Sequence, residues 1–361
     1  MKIYKNIFTD LISPQNLFRA WAEFKKGKTR RKDVILFEFN LEKNIFNLHQ
    51  QLKNKTYRHQ SYTSFYINDP KQRHIHKATV RDRIVHHAVF LALTPIFEAT
   101  FIYDSYSCRK GKGTHKGVRN LNKILRKMSR NNTQSCFALK CDLKKFFKSV
   151  NHQTLLAIIK RKIKDIDVLW LIDEIIESFN PGLPIGNLTS QLFANVYLNE
   201  LDQFVKHKLK IRHYLRYTDD FVLIGNSVNL LEKQLNKIRS FLKNYLQLDF
   251  HPKKIILKKF HQGTDFLGYI QFPHYRILRP KTKRRILKKV GKGISEQSLQ
   301  SYLGVLSHAN SFKLSEEIKN TFWFAKTKNP PVDIKGRFNI DYSPPSKNYD
   351  GWMDGWMDGW K

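Results

Sequence analysis

The chain has 361 residues, with 65 Lys and Arg against 30 Asp and Glu and a formal charge of +35. Such a surplus repels itself in a compact fold without an anionic partner, so nucleic acid is the first expectation and an anionic membrane surface the second. No apolar run approaches the ~20 residues of a spanning helix, MKIYKNIFTDLIS lacks the apolar core and cleavage site of a secretion signal, and Cys108, Cys136 and Cys141 show no CxxC spacing. A disulfide framework and a zinc site are therefore not suggested, and the expectation is a soluble, reducing-compartment, nucleic-acid-binding protein.

Residues 1–70 read as a mixed helical and irregular extension. Phe8, Leu11, Leu17, Trp21 and Phe24 recur at roughly helical intervals before a basic run from Lys25 to Lys32. A solvated surface and a phosphate contact account for that run equally well. Residues 71–135 carry many Lys and Arg around Gly111, Gly113 and Gly117, without the GxxxxGK[ST] pattern of a Walker loop. Next come a strand, FALKCDL, a helix from about Asn151 and another from Leu188 to about Leu209. A strand–turn–strand around Tyr217-Thr218-Asp219-Asp220 leads to a helix from Leu230 to Tyr245 and then HPKK. The expected class is α+β, with helices on one side of a largely antiparallel sheet. From Lys253 to Lys292 there are thirteen Lys or Arg against one carboxylate, Asp265. A helical unit over about 280–330 follows, and YDGWMDGWMDGWK reads as a low-complexity, disordered tail whose Trp residues could contact a partner or bases.

The chemistry centres on Asp219 and Asp220. At an exposed hairpin tip two adjacent carboxylates repel unless something positive lies between them. A divalent metal supplies that charge, and Mg²⁺ favours a few carboxylates plus substrate phosphates. Asp142, closing its strand, is by itself a cap or turn residue. With Asp219 and Asp220 it forms the minimum set for two-metal phosphoryl transfer, with ions ~3.5–4 Å apart. Sequence alone leaves open whether the three meet in space.

The order of Asp142 with Phe146 and Phe147, a Gly-rich segment, YTDD, HPKK and FLGY resembles the palm of reverse transcriptases of the bacterial group II intron-like lineage, over roughly residues 70–330. The resemblance implies a right-hand polymerase. Its parts are an N-terminal extension (1–70), fingers (71–135), a palm intermixed with them (136–255), a primer-grip hairpin (256–279), a helical thumb (280–345) and the tail (346–361). It implies two Mg²⁺ ions on Asp142, Asp219 and Asp220, with Mn²⁺ able to substitute in vitro, and Tyr217 at the nucleotide. Phe147, five residues after the first Asp, takes the steric-gate position that crowds a ribose 2′-hydroxyl. Arg109 and Lys110 match positions near the incoming triphosphate, where cations offset charge in the transition state. Lys254 matches the proposed proton donor to pyrophosphate, and sequence does not separate it from Lys253. Phe266, Leu267, Gly268 and Tyr269 resemble the primer grip. Lys283, Arg284, Arg285 and Lys288 are expected on duplex phosphates. For Arg81 and Arg83, template-backbone contacts and surface salt bridges predict the same composition.

In GLPIGNLTSQLFANVYLNELD, most reverse transcriptases would show Gln-Gly-x-x-x-Ser-Pro. Ile185 stands at the Gln before Gly186, and Gln191 at the Pro. This pattern, with SYLGVLSHANSFKL (301–314), resembles diversity-generating retroelement reverse transcriptases, which copy a template RNA into cDNA with errors at adenines. Loss of a polar contact relaxes discrimination more than reshaping an apolar pocket does. The resemblance implies, as partners, template RNA, the RNA/cDNA hybrid, deoxynucleoside triphosphates and a small basic, oligomeric accessory variability protein. No membrane is expected, and the setting implied is the cytoplasm of a bacterium or archaeon, or a phage-encoded protein. A group II intron-like, retron or defence-associated enzyme is the alternative, as is a non-catalytic RNA-binding scaffold.

Overall fold

The computed structural model describes residues 2–69 and 71–326. The expected end of the thumb (327–345) and the Gly-Trp-Met-Asp tail (346–361) lie outside these residues. The extension is more helical than its composition suggests: α1 (Phe8–Ile12), α2 (Pro14–Lys25), α3 (Lys32–Phe39) and α4 (Leu41–Lys53) precede the hairpin β1 (Thr63–Ile67)–β2 (Arg73–Lys77). Pro14 opens α2 in the first turn, where its missing N–H is not needed, and the Ser13 hydroxyl caps the Asn16 N–H. Phe8, Leu11, Leu17, Trp21 and Phe24 all face the core.

Helices α5 (Val80–Glu98) and α6 (Thr114–Met128) lead into the central sheet, built from β3 (Phe137–Asp142), β4 (Tyr214–Tyr217), β5 (Asp220–Gly225) and β6 (Ile256–Lys259). Its order is β4-β5-β3-β6, with every pair antiparallel. Between β3 and β4 run α7 (Phe146–Ser149), α8 (His152–Lys160), α9 (Ile166–Glu177) and α10 (Leu188–Gln203), and α11 (Val228–Leu246) joins β5 to β6. Their starts obey local capping rules: Asn151 accepts from Thr154 N–H, and Asp165 from Asp167 and Val168.

Both faces of this sheet are covered, which corrects the expectation of a one-sided one. Leu139, Cys141, Phe221 and Leu223 point into a core shared with α5, α8, α9, α10, α11 and the extension. Their neighbours Ala138, Val222 and Ile224 point into a second core with α6 and the C-terminal elements. Alternate residues of a strand face opposite ways, so two buried faces require continuous apolar runs such as FVLI. The second core includes the small sheet β7 (Thr264–Phe266)–β8 (Tyr269–Gln271)–β9 (Arg276–Leu278). It also includes α12 (Pro280–Val290), α13 (Glu296–Leu306) and α14 (Phe312–Lys326). Among the described residues no helix is long and apolar enough to cross a membrane. Mixed helices and antiparallel sheets make this an α+β fold, as expected.

Candidate active site

The β4–β5 hairpin turns through Thr218 and Asp219, and sheet register sets Asp142 on β3 directly opposite Asp220 on β5. Leu143 N–H donates to the Asp219 carbonyl at 3.2 Å. Pairing of β3 with β5 thus brings together three acids that lie far apart in sequence. The tip is not exposed as the sequence suggested: Thr218, Asp219 and Asp220 are all half-buried and Tyr217 is buried. Thr218 sits at φ +51°, a conformation that costs a β-branched residue about 1–3 kcal/mol. Neighbours hold it there: its hydroxyl donates to Ser107 Oγ at 2.7 Å, and Arg216 Nη1 donates to its carbonyl at 3.2 Å. Arg216 is fully buried and forks onto Asp202 of α10, with Nε–Oδ1 2.8 Å and Nη2–Oδ2 2.7 Å, while Tyr214 OH donates to the same carboxylate. Sequence reading missed this brace entirely, because a pairing between α10 and β4 leaves no local signal.

The charges at the tip are incompletely balanced. Lys254 Nζ donates to Asp142 Oδ2 at 2.9 Å, and Lys140 Nζ lies 3.3 Å from Asp220 Oδ2. Asp220 Oδ1 is buried with no hydrogen-bond partner. Burial pushes Asp220 up to about 7 against the pull of Lys140. Burial, with Asp142 alongside, also raises Asp219. Lys254 and Lys140 each pair with a different acid, and among the described residues no three His, Cys, Asp or Glu side chains form a ready ligand set. The donor chemistry nonetheless fits a hard divalent cation: carboxylates on paired strands and one orphaned carboxylate oxygen. Of the two candidate lysines in HPKK, Lys254 reaches Asp142, whereas the Lys253 backbone N–H donates to His251 Nδ1.

On the nucleotide side, half-buried Phe147 packs edge-on against buried Phe146 with centroids 5.4 Å apart. Its carbonyl accepts from Leu183 N–H at 2.7 Å. A Cβ on Gly182, which has φ +77°, would lie 2.2 Å from that carbonyl oxygen, so this close approach requires glycine. Ile185 C=O accepts from His76 N–H on β2 at 2.9 Å, and a Cβ on Gly186 would meet the His76 carbonyl at 2.9 Å. Ile185 and Gln191 are half-buried. Two further residues enter from β1–β2. Arg73 is close enough to Asp219 and Tyr217 for them to support its charge, although burial still lowers its pKa, and the Lys71 charge acts on Asp219. Neither was picked from sequence, although alternating strand residues around Asn68-Asp69-Pro70 carried a hairpin signal.

Other expected contacts are diverted. Arg109 is buried, with Nε donating to Glu98 at 2.8 Å and Nη1 to the Ile102 and Ser105 carbonyls. Its guanidinium therefore braces the loop after α5 and is not free for phosphate, while Lys110 is exposed. Arg81 reaches Asp82, Gln51 and the Arg58 carbonyl, and Arg83 reaches Asp33 at 2.8 Å. Structural ion pairing accounts for both. Leu267 and Gly268 form the β7–β8 turn with φ +50° and +87°, as a tight two-residue hairpin turn demands. Phe266 and Tyr269 are buried, with Tyr269 OH donating to Val305 at 2.9 Å. On α12, Lys283, Arg284 and Lys288 are exposed, whereas Arg285 (3.3 Å) and Lys289 pair with Asp69 of the β1–β2 turn.

The sequence pattern of the family described as reverse transcriptase (RNA-dependent DNA polymerase) matches residues 67–271. The chain is similar to the group II intron-encoded protein LtrA of Lactococcus lactis subsp. cremoris, 26% identical over 273 residues, covering 70% of this chain and 44% of that protein. It is also similar to protein YkfC of Escherichia coli (strain K12), 26% identical over 246 residues, covering 56% of this chain and 62% of that protein. The chain thus spans less than two thirds of either relative. Because the matched region exceeds half of the chain and runs from β1 through the paired acids to β8, this chain belongs to the reverse transcriptase family.

Proposed function

We propose that the chain is an RNA-templated DNA polymerase acting at Asp142, Asp219 and Asp220. The observation that carries this reading is the register that sets Asp142 opposite Asp220, with one Asp220 oxygen left without a partner. These acids would hold Mg²⁺, which supplies charge neutralisation for phosphoryl transfer when bound. Phe147, locked by the Leu183 contact, walls the sugar side and excludes a 2′-hydroxyl. Lys71 and Arg73 face the triphosphate from β2 and its turn. Lys254 holds a proton on Nζ at the mouth of the site, in reach of a leaving pyrophosphate. Phe266 to Tyr269 position the primer end, and exposed Lys283, Arg284 and Lys288 bind duplex phosphates.

The finer reading is a diversity-generating retroelement enzyme that makes adenine-mutagenised cDNA, partnered by a structured template RNA and a small basic accessory protein. Ile185 supports it, since an aliphatic side chain offers the nucleotide no hydrogen bond. The test is primer extension on an RNA template containing all four bases. The expected result is deoxynucleotide incorporation with errors concentrated opposite adenine. Uniform low error removes the retroelement assignment and leaves the polymerase; absence of extension removes both.

A further inference from the structure

Helix α6 is a surface the polymerase reading does not use. It buries Val118, Leu121 and Leu125 against the palm sheet and turns Arg119, Lys123, Arg126 and Lys127 to solvent. These recur once per helical turn or closer, over a helix about 22 Å long. The chain has no Asp or Glu at all between Asp104 and Asp142. Among the described residues none of the four makes a salt bridge. Asp104, which contacts Asn120 of this helix at 2.9 Å, is already taken by Lys206 at 3.3 Å and Tyr106 OH at 3.1 Å. An ordinary solvated helix face mixes both signs, which lowers self-repulsion; this one does not.

Beside the stripe lies a recess of about 300 Å³ lined by Tyr103, Tyr106, Lys116, Arg119, Asn120 and Lys123. Tyr103 is 65% exposed, and one side of its ring carries the Lys112 ammonium 3.4 Å from the centroid. Lys112 is itself lowered by burial and by the nearby Arg109 and Lys116 charges, which together outweigh Asp104 and Glu98. The recess flanks β4, one of the two edge strands of the central sheet, through the Ser105–Arg216 bridge. Three strand spacings, about 14 Å, therefore separate the Ser105 segment from β3, the strand that carries Asp142. Exposed aromatic surface beside a track of cations is the composition that binds single strands: phosphates follow the charges and an unpaired base stacks on the ring.

We propose that α6 and the Tyr103 recess bind an unpaired stretch of RNA, anchoring it apart from the primer end. The choice of RNA over other polyanions rests on the polymerase reading. The test is binding of a short labelled oligouridylate to the full chain across a salt series, beside extension of a short RNA–DNA primer–template. Arg119→Gln/Lys123→Gln/Arg126→Gln/Lys127→Gln is expected to flatten the slope of log affinity against log salt by about 3, since each single-strand phosphate contact contributes about 0.7. Tyr103→Ala is expected to weaken binding about tenfold without changing the slope, and Tyr103→Trp to restore it. Extension of the short duplex should stay as in the unchanged chain. An unchanged slope overturns the proposal, as does a loss of duplex extension with oligouridylate binding intact, which would make the stripe a product track. Repeating the binding on Asp219→Asn/Asp220→Asn protein separates the two readings, because the stripe's contribution persists there even if the polymerase assignment fails.

Discussion

Two acidic centres flank one short strand, β4, and they are treated in opposite ways. Beneath β4, on α10, Asp202 receives a two-pronged guanidinium and a tyrosine hydroxyl, all buried. At its tip, Asp219 and Asp220 share the field of lysines that are also committed elsewhere, and one oxygen of Asp220 has no partner. The first arrangement closes its charge and holds the turn; the second leaves charge open at the place where a cation and phosphates would arrive. A carboxylate with a dedicated partner is structural, whereas a crowded, under-neutralised one is poised for chemistry.

Breaking the closed centre should have the largest effect. Asp202→Asn leaves Arg216 buried without its counter-charge, and chemical denaturation should show a loss of about 3–5 kcal/mol. At the open centre, Asp142→Asn should reduce RNA-templated extension about a hundredfold to a thousandfold in single-turnover assays, with little loss of fold. Ile185→Gln sharpens the comparison at the nucleotide wall. One added hydrogen bond is worth about 1 kcal/mol, so misincorporation opposite adenine should fall roughly fivefold by sequencing of products.

The smallest effect concerns Asp82, another closed centre. Burial works against its charge, but the Thr79 hydroxyl, the charges of His59 and Arg81 and the Tyr57 hydroxyl outweigh it, so its pKa is lowered. A folded-state pKa below the unfolded one adds stability above the unfolded value of about 3.9. That contribution is lost as pH falls through the folded-state value. Thermal melts from pH 7 down to pH 3 should show this acid limb in the unchanged chain and a shallower one in Asp82→Asn.

Much of the central sheet and its helices was legible because their signals are local. Helices from about Asn151 and Leu230 appear within two residues of their expected starts, since caps and periodicity lie within each segment. The YTDD turn was legible for the same reason. Its burial was not, because that depends on the Ser107 loop and α10 packing around it. The same limit hid the Arg216–Asp202 brace and sent Arg109 to Glu98 instead of to a phosphate. An arginine's partner is chosen by tertiary neighbours that composition does not name. The two-sided sheet could have been read from the unbroken FVLI of β5, where a one-sided sheet would alternate.

The contrast between the two centres is tested most directly by melting the Asp219→Asn/Asp220→Asn chain in divalent-free buffer near neutral pH, alongside its primer extension. Neutral isosteres relieve buried like charges, so the variant should melt about 2 °C or more above the unchanged chain while losing RNA-templated extension. A variant that melts lower, or that still extends, contradicts the claim that this tip is an open charge centre kept for catalysis.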